Sequence, residues 1–275
     1  MKRILITGQN GYIGTHLAAY LSSFPDRYEV VMLPMKGHTP DEYAFRGADA
    51  IVHTAAIVHQ KESKETLPLY DAVNRGLTIA LAEKAKREGV KQFVFFSSMS
   101  VYGMDTGTIT EKTVPAPKTA YGRSKLEAET AIAPLADDGF FITILRPPMV
   151  IGSGAKGNPA RLSALAKKLP FCPDFQNRRS MVSIETLCRT VKDTLDKPLS
   201  GIVFPQEREP LSTAALMEQA KREQGKAPKK TKLFNPAIRV LRACTRVGKK
   251  AFGDLVYEGL YKRALPLPKG KEEPQ

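Results

Sequence analysis

The sequence predicts an α/β fold in which a doubly wound parallel sheet carries a smaller C-terminal lobe. Three observations support this prediction. Short apolar runs alternate with helical patterns through the first half, a glycine-rich turn joins the first run to the first helix, and the alternation loosens after residue 148. Strands that alternate with helices form βαβ units, whose sheet is covered on both faces. We therefore expect a sheet domain at 1–150, a small lobe at 151–265, and a disordered tail at 266–275, where Pro, Lys and Glu dominate.

The individual elements follow from the spacing of apolar residues. A short continuous apolar run bounded by turn residues indicates a buried strand, and apolar residues at a period near 3.6 indicate a helix. The predicted strands are Arg3–Thr7, Glu29–Leu33, Ala50–His53, Gln92–Ser97, Phe140–Leu145 and Gly201–Phe204. The predicted helices are Tyr12–Ser23, Leu69–Glu88, Ala120–Ala136, Pro159–Leu169, Glu185–Leu195 and Ser212–Glu223. Because so few residues separate the second and third strands, the helix between them should be short or absent.

Composition excludes several classes of protein. The chain has 275 residues, of which 42% are hydrophobic and 25% charged, as in soluble globular proteins with a substantial core. Its three cysteines (Cys172, Cys188 and Cys244) form no CxxC pair, so we expect neither a disulfide framework nor a metal site. The apolar run at the start is too short for a signal peptide, and no stretch is long enough to cross a bilayer. These features predict a cytoplasmic protein.

The positive charge is concentrated near the C-terminus. The formal net charge is +14, and between Lys221 and Arg263 there are 13 lysines and arginines against three acidic residues, a local balance of +10. A protein that coats nucleic acid would carry its basic surface on the main fold. We therefore expect no nucleic-acid partner.

The glycine-rich turn is a candidate cofactor site. Its residues follow an apolar strand and open an amphipathic helix, and they are Gly8, Asn10, Gly11, Tyr12, Ile13 and Gly14. Glycines permit a tight turn and close approach of the backbone to a pyrophosphate, which the helix N-terminus then stabilises. The alternative is an ordinary glycine-rich turn, but the strand–turn–helix context favours a Rossmann-type dinucleotide site. An acidic residue that would hold the ribose 2′-hydroxyl is missing, because Pro34 stands there, and Lys36 follows. The choice between NAD and NADP therefore stays open.

A tyrosine, a lysine and a serine form a candidate catalytic set. Tyr121 and Lys125 lie at positions i and i+4 of a predicted helix, which places them on one face. A phenol is a weak base at neutral pH, and we expect the Lys125 ammonium and a cationic nicotinamide to lower its pKa. Ser98 ends a strand and faces the crevice where parallel sheets bind ligands. Each feature alone is weak, since Tyr and Lys four apart are frequent and serines often cap turns.

With these residues in order, the sequence resembles the extended short-chain dehydrogenase/reductases, in particular the NAD-dependent epimerase/dehydratase family. That family includes 4-epimerases, dehydratases and 4-ketoreductases of sugar nucleotides. The resemblance implies further cofactor contacts, from Asp49 to the adenine and from Ala55, Ala56, Asn74, Lys125, Pro147 and Val150. It also implies that Ser98, Tyr121, Asn158 and Arg179 bind the substrate, with Arg179 on the diphosphate. A homodimer is usual for the family.

The resemblance leads to three hypotheses about function. The first is an enzyme that acts at C4 of a UDP-hexose or UDP-N-acetylhexosamine, most simply a 4-epimerase that forms a transient 4-keto sugar. The second is an NAD(P)H-dependent 4-ketoreductase of a UDP-4-keto-6-deoxy sugar, and the third is a non-catalytic NAD(P)-binding regulator. Dehydration is disfavoured, because Met99 and Ser100 follow Ser98 where a dehydratase has an Asp-Glu pair. The lobe is also shorter than in the 4-epimerases, and the segment that supplies their second nucleotide-binding arginine is not recognisable here.

The basic C-terminal segment has two interpretations. Asn235 and Pro236 are typical of a helix start, and residues 235–255 show an apolar stripe beside a basic one. The apolar stripe is Val240, Leu241, Cys244, Val247, Ala251, Phe252 and Leu255. The preferred interpretation is that this stripe closes the substrate lobe while the basic face is solvated. The alternative is peripheral contact with the inner membrane surface.

Overall fold

The computed structural model describes residues 1–58, 62–155 and 157–268. Its strands are β1 (Lys2–Thr7), β2 (Tyr28–Leu33), β3 (Ala50–His53), β4 (Gln92–Phe96), β5 (Gly107–Ile109), β6 (Phe141–Leu145), β7 (Met149–Ile151), β8 (Cys172–Pro173), β9 (Met181–Ser183), β10 (Gly201–Val203), β11 (Lys230–Thr231), β12 (Leu255–Tyr257) and β13 (Ala264–Leu265). Its α-helices are α1 (Tyr12–Ser22), α2 (Leu67–Leu69), α3 (Leu77–Arg87), α4 (Ala120–Ile132), α5 (Asn158–Lys168), α6 (Ile184–Asp196), α7 (Thr213–Arg222), α8 (Asn235–Cys244) and α9 (Arg246–Phe252). Most of the predicted tail, from residue 269 onward, lies outside the described residues.

The central sheet has the predicted doubly wound, mostly parallel topology. Within the described residues its strand order is β13-β10-β6-β4-β3-β1-β2, and only β13 runs antiparallel to its neighbour β10. The chain leaves β1 to form β2 on one side and then returns to form β3 on the other. Ligands bind at such a reversal, beyond the carboxyl ends of the strands. A short 3₁₀ turn at Pro40–Glu42 is the regular element between β2 and β3, as the short spacing predicts.

Helices cover both faces of the sheet because strand residues alternate between two cores. In β4, Phe93 and Phe95 join the core that includes α3 and α4, whereas Val94 and Phe96 join the core that includes α1 and α6. Every residue of β4 is buried. A strand buried on both faces reads as a continuous apolar run, which is why these strands are visible in the sequence.

The second half of the chain contributes to the main sheet as well as to a lobe. Helix α6 packs on the sheet, and β10 and β13 extend it, although all three lie beyond residue 150. The lobe proper consists of α5, α7, α8 and α9 with the short pairs β8–β11 and β7–β9. These pairs and the pair β5–β12 were not predicted, because strands of two or three residues are too short to show a period.

The prediction of one C-terminal helix across 235–255 is wrong. Helix α8 ends at Cys244, and Thr245 starts α9, where its Oγ1 accepts a hydrogen bond from the Gly248 N–H at 2.9 Å. Leu255 lies in β12, paired with β5. A threonine can cap a new helix, and this local preference interrupts the helical pattern.

Candidate active site

The glycine turn between β1 and α1 forms a cradle that side chains would fill. Gly8 has a φ of +89°, and a Cβ there would lie 2.5 Å from Thr54 Oγ1. A Cβ on Gly14 would lie 2.6 Å from the Gly8 carbonyl oxygen. In the described segment 1–58, the first turn of α1 holds no acidic residue, and its N-cap, Gly11, offers no side-chain cap. The free amides of this turn fit the pyrophosphate of a dinucleotide.

The loop after β3 forms the second wall of the cradle, and Asn74 fixes it. The Ile57 N–H donates to Asn74 Oδ1 at 2.8 Å, and Asn74 Nδ2 donates to the Ile57 carbonyl at 3.1 Å and to Ser124 Oγ at 3.2 Å. Asn74 lies in a π-helical segment, Tyr70–Gly76, that joins α2 to α3. It is fully buried and does not line the cavity, so the prediction that it binds the cofactor directly is corrected to a positioning role.

Ser98, Tyr121 and Lys125 converge on one cavity. Tyr121 lies in the first turn of α4, which begins where Thr119 Oγ1 accepts from the Gly122 N–H at 3.0 Å. A Cβ on Gly122 would lie 2.6 Å from the Ser100 carbonyl oxygen, so this glycine lets α4 approach the segment that follows β4. That approach brings Tyr121 to Ser98.

Burial sets the proton affinities of the tyrosine and the lysine. It raises the pKa of Tyr121 to about 12, although a hydrogen bond with Ser98 lowers it. Burial lowers the pKa of Lys125 to about 7, while Glu129 raises it. Lys125 Nζ donates to the Phe96 carbonyl at 2.7 Å. The expectation that Lys125 lowers the Tyr121 pKa is therefore not met in the protein alone, because desolvation dominates and the lysine loses its own charge near neutral pH.

A buried ionic network fixes α4 behind the catalytic set. Arg146 Nε donates to Glu129 Oε1 at 3.0 Å, its Nη2 pairs with Glu129 Oε2, and Ser97 Oγ also donates to Glu129. Arg146 Nη1 donates to the Tyr102 hydroxyl at 2.8 Å. The side chains of Glu129 and Arg146 are 0% and 4% exposed. Through Ser97 and Arg146 the network joins α4 to the ends of β4 and β6. Because Glu129 is one helical turn beyond Lys125, the part of α4 that carries the lysine is held in place.

A neutral histidine lies beneath the glycine turn. His53 Nδ1 is 2.7 Å from Thr7 Oγ1, and its Nε2 is 3.0 Å from Thr78 Oγ1. The Thr78 hydroxyl donates to the Asn74 carbonyl at 2.8 Å, so it accepts from Nε2–H of the histidine. Burial, followed by the charge of Lys125, lowers the pKa of His53 to about 3.

Several cations line the same cavity as the candidate catalytic set, and we call this group its cationic end. The volume of the cavity is about 1000 Å³, within the range of large ligand sites. Arg179, predicted to bind a diphosphate, lines it, and its Nη1 donates to the Gly253 carbonyl at 2.8 Å. Arg246 and Lys250 of α9 also line it, 3.0 Å and 3.8 Å from the two carboxylate oxygens of Asp105. The fit is therefore to a ligand with a phosphate-bearing end.

The structure brings most of the predicted site residues together. Those that line the cavity are Gly8, Asn10, Gly11, Tyr12, Ile13, Gly14, Ala55, Ala56, Ser98, Tyr121, Lys125, Pro147, Val150, Asn158 and Arg179.

The structure does not place Asp49 at the cavity. Asp49 precedes β3, so it lies at the amino ends of the parallel strands, whereas the glycine turn lies at their carboxyl ends. Its Oδ2 accepts a hydrogen bond from the Arg3 N–H at 2.7 Å. A four-residue strand rises by about 13 Å, so Asp49 is too far away and its prediction as an adenine contact is wrong.

Part of the cationic end was not predicted from the sequence. Asp105, Lys118, Arg246 and Lys250 line the cavity, although none belongs to a recognised motif. The available signal for two of them was the i, i+4 spacing of Arg246 and Lys250, which places both on one helix face. No signal placed that face against the cavity, because the break at Thr245 sets the direction of α9.

Fold and site together define an enzyme of the Rossmann type with a tyrosine–lysine–serine centre. The NAD dependent epimerase/dehydratase family profile matches residues 4–170. The UDP-glucose 4-epimerase of Vibrio cholerae is 34% identical over 246 residues, which are 79% of this chain and 74% of that protein. The GDP-6-deoxy-D-mannose reductase of Pseudomonas aeruginosa is 28% identical, covering 71% of this chain and 67% of the reductase. The chain belongs to the NAD dependent epimerase/dehydratase family.

Solved structures agree with the fold. The UDP-glucuronic acid 4-epimerase of Bacillus cereus, in complex with UDP-glucuronic acid and NAD, superposes with a TM-score of 0.70 at 21% identity. The superposition covers 94% of this chain and 91% of that epimerase. At this identity the likeness concerns the fold and extends it through the C-terminal lobe, beyond the residues that the family profile matches.

Proposed function

We propose that the chain is an NAD-dependent 4-epimerase of a UDP-hexose or UDP-N-acetylhexosamine. The observation that carries the proposal is the convergence of Ser98, Tyr121 and Lys125 in one cavity that the glycine cradle and Arg179 also line. The cavity is large enough for a dinucleotide cofactor beside a sugar joined to a diphosphate. The epimerase of Vibrio cholerae supports the choice of reaction.

The proposed mechanism assigns proton movement to Tyr121. Its hydroxyl exchanges a proton with O4 of the sugar, while the Ser98 hydroxyl donates to the same oxygen and polarises it. Held by the residues named below, NAD would supply hydride uptake and return at C4, and its positive charge would oppose the burial that raises the Tyr121 pKa. Lys125, with a pKa of about 7, gives or takes a proton beside the tyrosine at neutral pH.

The groups that would hold the cofactor are the amides at the start of α1, Ala55 and Ala56 after β3, and Pro147 and Val150 after β6. Arg179, Arg246 and Asn158 are the groups that we assign to the diphosphate of the substrate. Arginine forms bidentate hydrogen bonds with phosphate oxygens, and two of these three are arginines.

The test is turnover of UDP-glucose and UDP-N-acetylglucosamine by the purified chain, with sugar products separated by chromatography. An epimerase retains its NAD and converts the substrate with no cofactor added. A requirement for stoichiometric NADH or NADPH would instead establish the second candidate, a 4-ketoreductase. That candidate is supported by the relationship to the Pseudomonas reductase and by Lys36, which lines the cavity where an acidic residue would select NAD.

The proposed setting is the cytoplasm, with contact to the inner membrane surface through residues 235–255, and the proposed assembly is a homodimer. In the part of the chain that the structure describes, helices are too short or too polar to cross a bilayer. Sedimentation velocity of the purified chain tests the assembly.

A further inference from the structure

Helix α8 has one buried side chain facing the lobe and an apolar stripe facing outward. Ile238 is buried with Phe175 and Phe252, whose rings meet edge to face with centroids 5.8 Å apart. On a neighbouring face four residues at positions i, i+3, i+4 and i+7 are exposed: Ala237, Val240, Leu241 and Cys244. This spacing is the apolar face of an amphipathic helix, yet here it points away from the protein core.

Exposed apolar residues also lie just before and just after α8 in the chain. Leu233 precedes α8 and is 79% exposed, and Val247 lies in α9 and is 73% exposed. We call these six residues, from Leu233 to Val247, the outward face of α8–α9. Single exposed apolar side chains need no explanation, but a run of them along one helix pair indicates a contact surface.

The charge around the outward face selects its partner. The segment from Lys221 to Arg263 has a balance of +10, and Arg239 and Lys249 are exposed beside the apolar residues. A second copy of the chain in a two-fold contact would bring this charge against itself. A nucleic acid would match the charge, but it would leave the apolar side chains exposed to water.

We propose that the outward face of α8–α9 docks on a membrane surface that contains anionic lipids. Val240, Leu241 and Val247 enter the interfacial region, and the surrounding lysines and arginines meet the lipid phosphates. Since Arg246 and Lys250 on α9 line the cavity, docking also places the substrate entrance close to the membrane surface. The inference rests on the proposed cellular location and does not require the proposed reaction.

The test is co-sedimentation of the full chain with vesicles of phosphatidylcholine, either pure or containing phosphatidylglycerol. We expect binding to the anionic vesicles alone, and release at high salt. The double variant Val240→Asp/Val247→Asp should lose at least about tenfold in partitioning, because two apolar contacts are replaced by charges that the lipids repel. Arg239→Gln and Lys249→Gln should each lose about fivefold.

Val114→Asp is the matched control, since Val114 is 78% exposed outside α8–α9. It should bind vesicles as the unmodified chain does, and all variants should keep the far-UV circular dichroism of that chain. Equal sedimentation of Val240→Asp/Val247→Asp and Val114→Asp would overturn the proposal, as would equal binding to pure phosphatidylcholine. The proposal would also be overturned if the unmodified chain does not bind vesicles and forms a dimer that the Val240→Asp/Val247→Asp changes convert to monomer. Vesicle binding by a chain that converts no UDP-sugar would preserve the docking surface and end the proposed reaction.

Discussion

The sheet domain and the C-terminal lobe are held together by different means. In the sheet domain, two large groups of buried apolar residues sandwich a parallel sheet, and a buried ionic network joins α4 to the strands. The lobe rests on two small groups, one of four buried residues and one of three. Its ion pairs join an exposed cation to a more buried carboxylate, as with Arg222 (69% exposed) and Glu218 (11% exposed).

This difference assigns separate tasks to the two regions. The sheet domain carries Tyr121, Lys125, Ser98 and the glycine cradle on rigid elements, as precise chemistry requires. The lobe carries cations along the cavity and an exposed apolar face. We therefore expect changes in the sheet domain to affect chemistry and folding strongly, and changes in the lobe to affect substrate affinity modestly.

Loss of the Tyr121 phenol should have the largest effect. Tyr121→Phe removes the group that exchanges a proton with the substrate, and we expect kcat to fall about a thousandfold. Cofactor bound to the purified variant should be unchanged, because the glycine cradle is intact. Tyr261→Phe, at an exposed position, is the control and should keep full activity. Epimerisation at an undiminished rate by Tyr121→Phe would exclude the proposed mechanism.

Breaking the buried ion pair should be the largest change in stability. Arg146→Met leaves the Glu129 carboxylate buried without its partner, and we expect the free energy of unfolding to fall by about 3–5 kcal/mol. Arg222→Met removes a 69% exposed arginine of the lobe while Glu218 keeps Lys230 at 2.8 Å, so the change should cost less than about 1 kcal/mol. Urea denaturation of both variants measures the difference. Similar losses would show that the contrast between the two regions is not energetic.

Crowding the glycine cradle should weaken cofactor binding. Gly8→Ala places a methyl group 2.5 Å from Thr54 Oγ1 at a φ of +89°, and we expect affinity for NAD to fall between about tenfold and a hundredfold. Gly47→Ala is matched in strain, because its φ is +83° and no heavy atom lies within 4 Å of the added Cβ. Calorimetric titration with NAD separates the two effects. Equal losses in both variants would mean that backbone strain, and not the shape of the cradle, limits binding.

Residues that a function requires at fixed spacing were the ones visible in the sequence. Gly8 and Gly14 admit no side chain, and Tyr121 and Lys125 must share a helix face, so each leaves a pattern. Arg179 was found by resemblance to the family and does reach the cavity. Arg246 and Lys250 carry no such constraint, and their position depends on a helix break that is a matter of tertiary structure. The prediction for Asp49 was wrong because its side chain accepts a hydrogen bond from the Arg3 amide, at the far end of β1 from the glycine turn.

Acid sensitivity should originate in the sheet domain. His53 is neutral when buried, and its pKa is lowered from 6.5 to about 3. The unfolded chain therefore binds a proton that the folded chain does not between these values. The contribution of His53 to stability is present above about pH 6.5 and is lost as pH falls toward 3, by at most about 1.4 kcal/mol per pH unit.

His53→Gln should flatten this slope in urea denaturation measured at several pH values, although it lowers stability at neutral pH. His16→Gln, at an exposed position, is the control for the exchange of a histidine. A slope that persists in His53→Gln would place the acid-sensitive group elsewhere.

The smallest expected effect lies at the cationic end of the cavity. Asp105 pairs with Arg246 and Lys250, and in the proposed complex its carboxylate competes with the substrate diphosphate for both cations. Asp105→Asn should therefore lower KM for the UDP-sugar a few-fold and leave kcat unchanged, because a partly exposed charge pair is worth no more than about 1 kcal/mol.

Glu111→Gln, which removes the partner of Arg263 outside this cavity, is the matched control. The gain should shrink at high salt, since screening weakens the competition and the attraction alike. A rise in KM would instead mean that Asp105 holds α9 in place, so that the lobe, like the sheet domain, uses an ion pair for position.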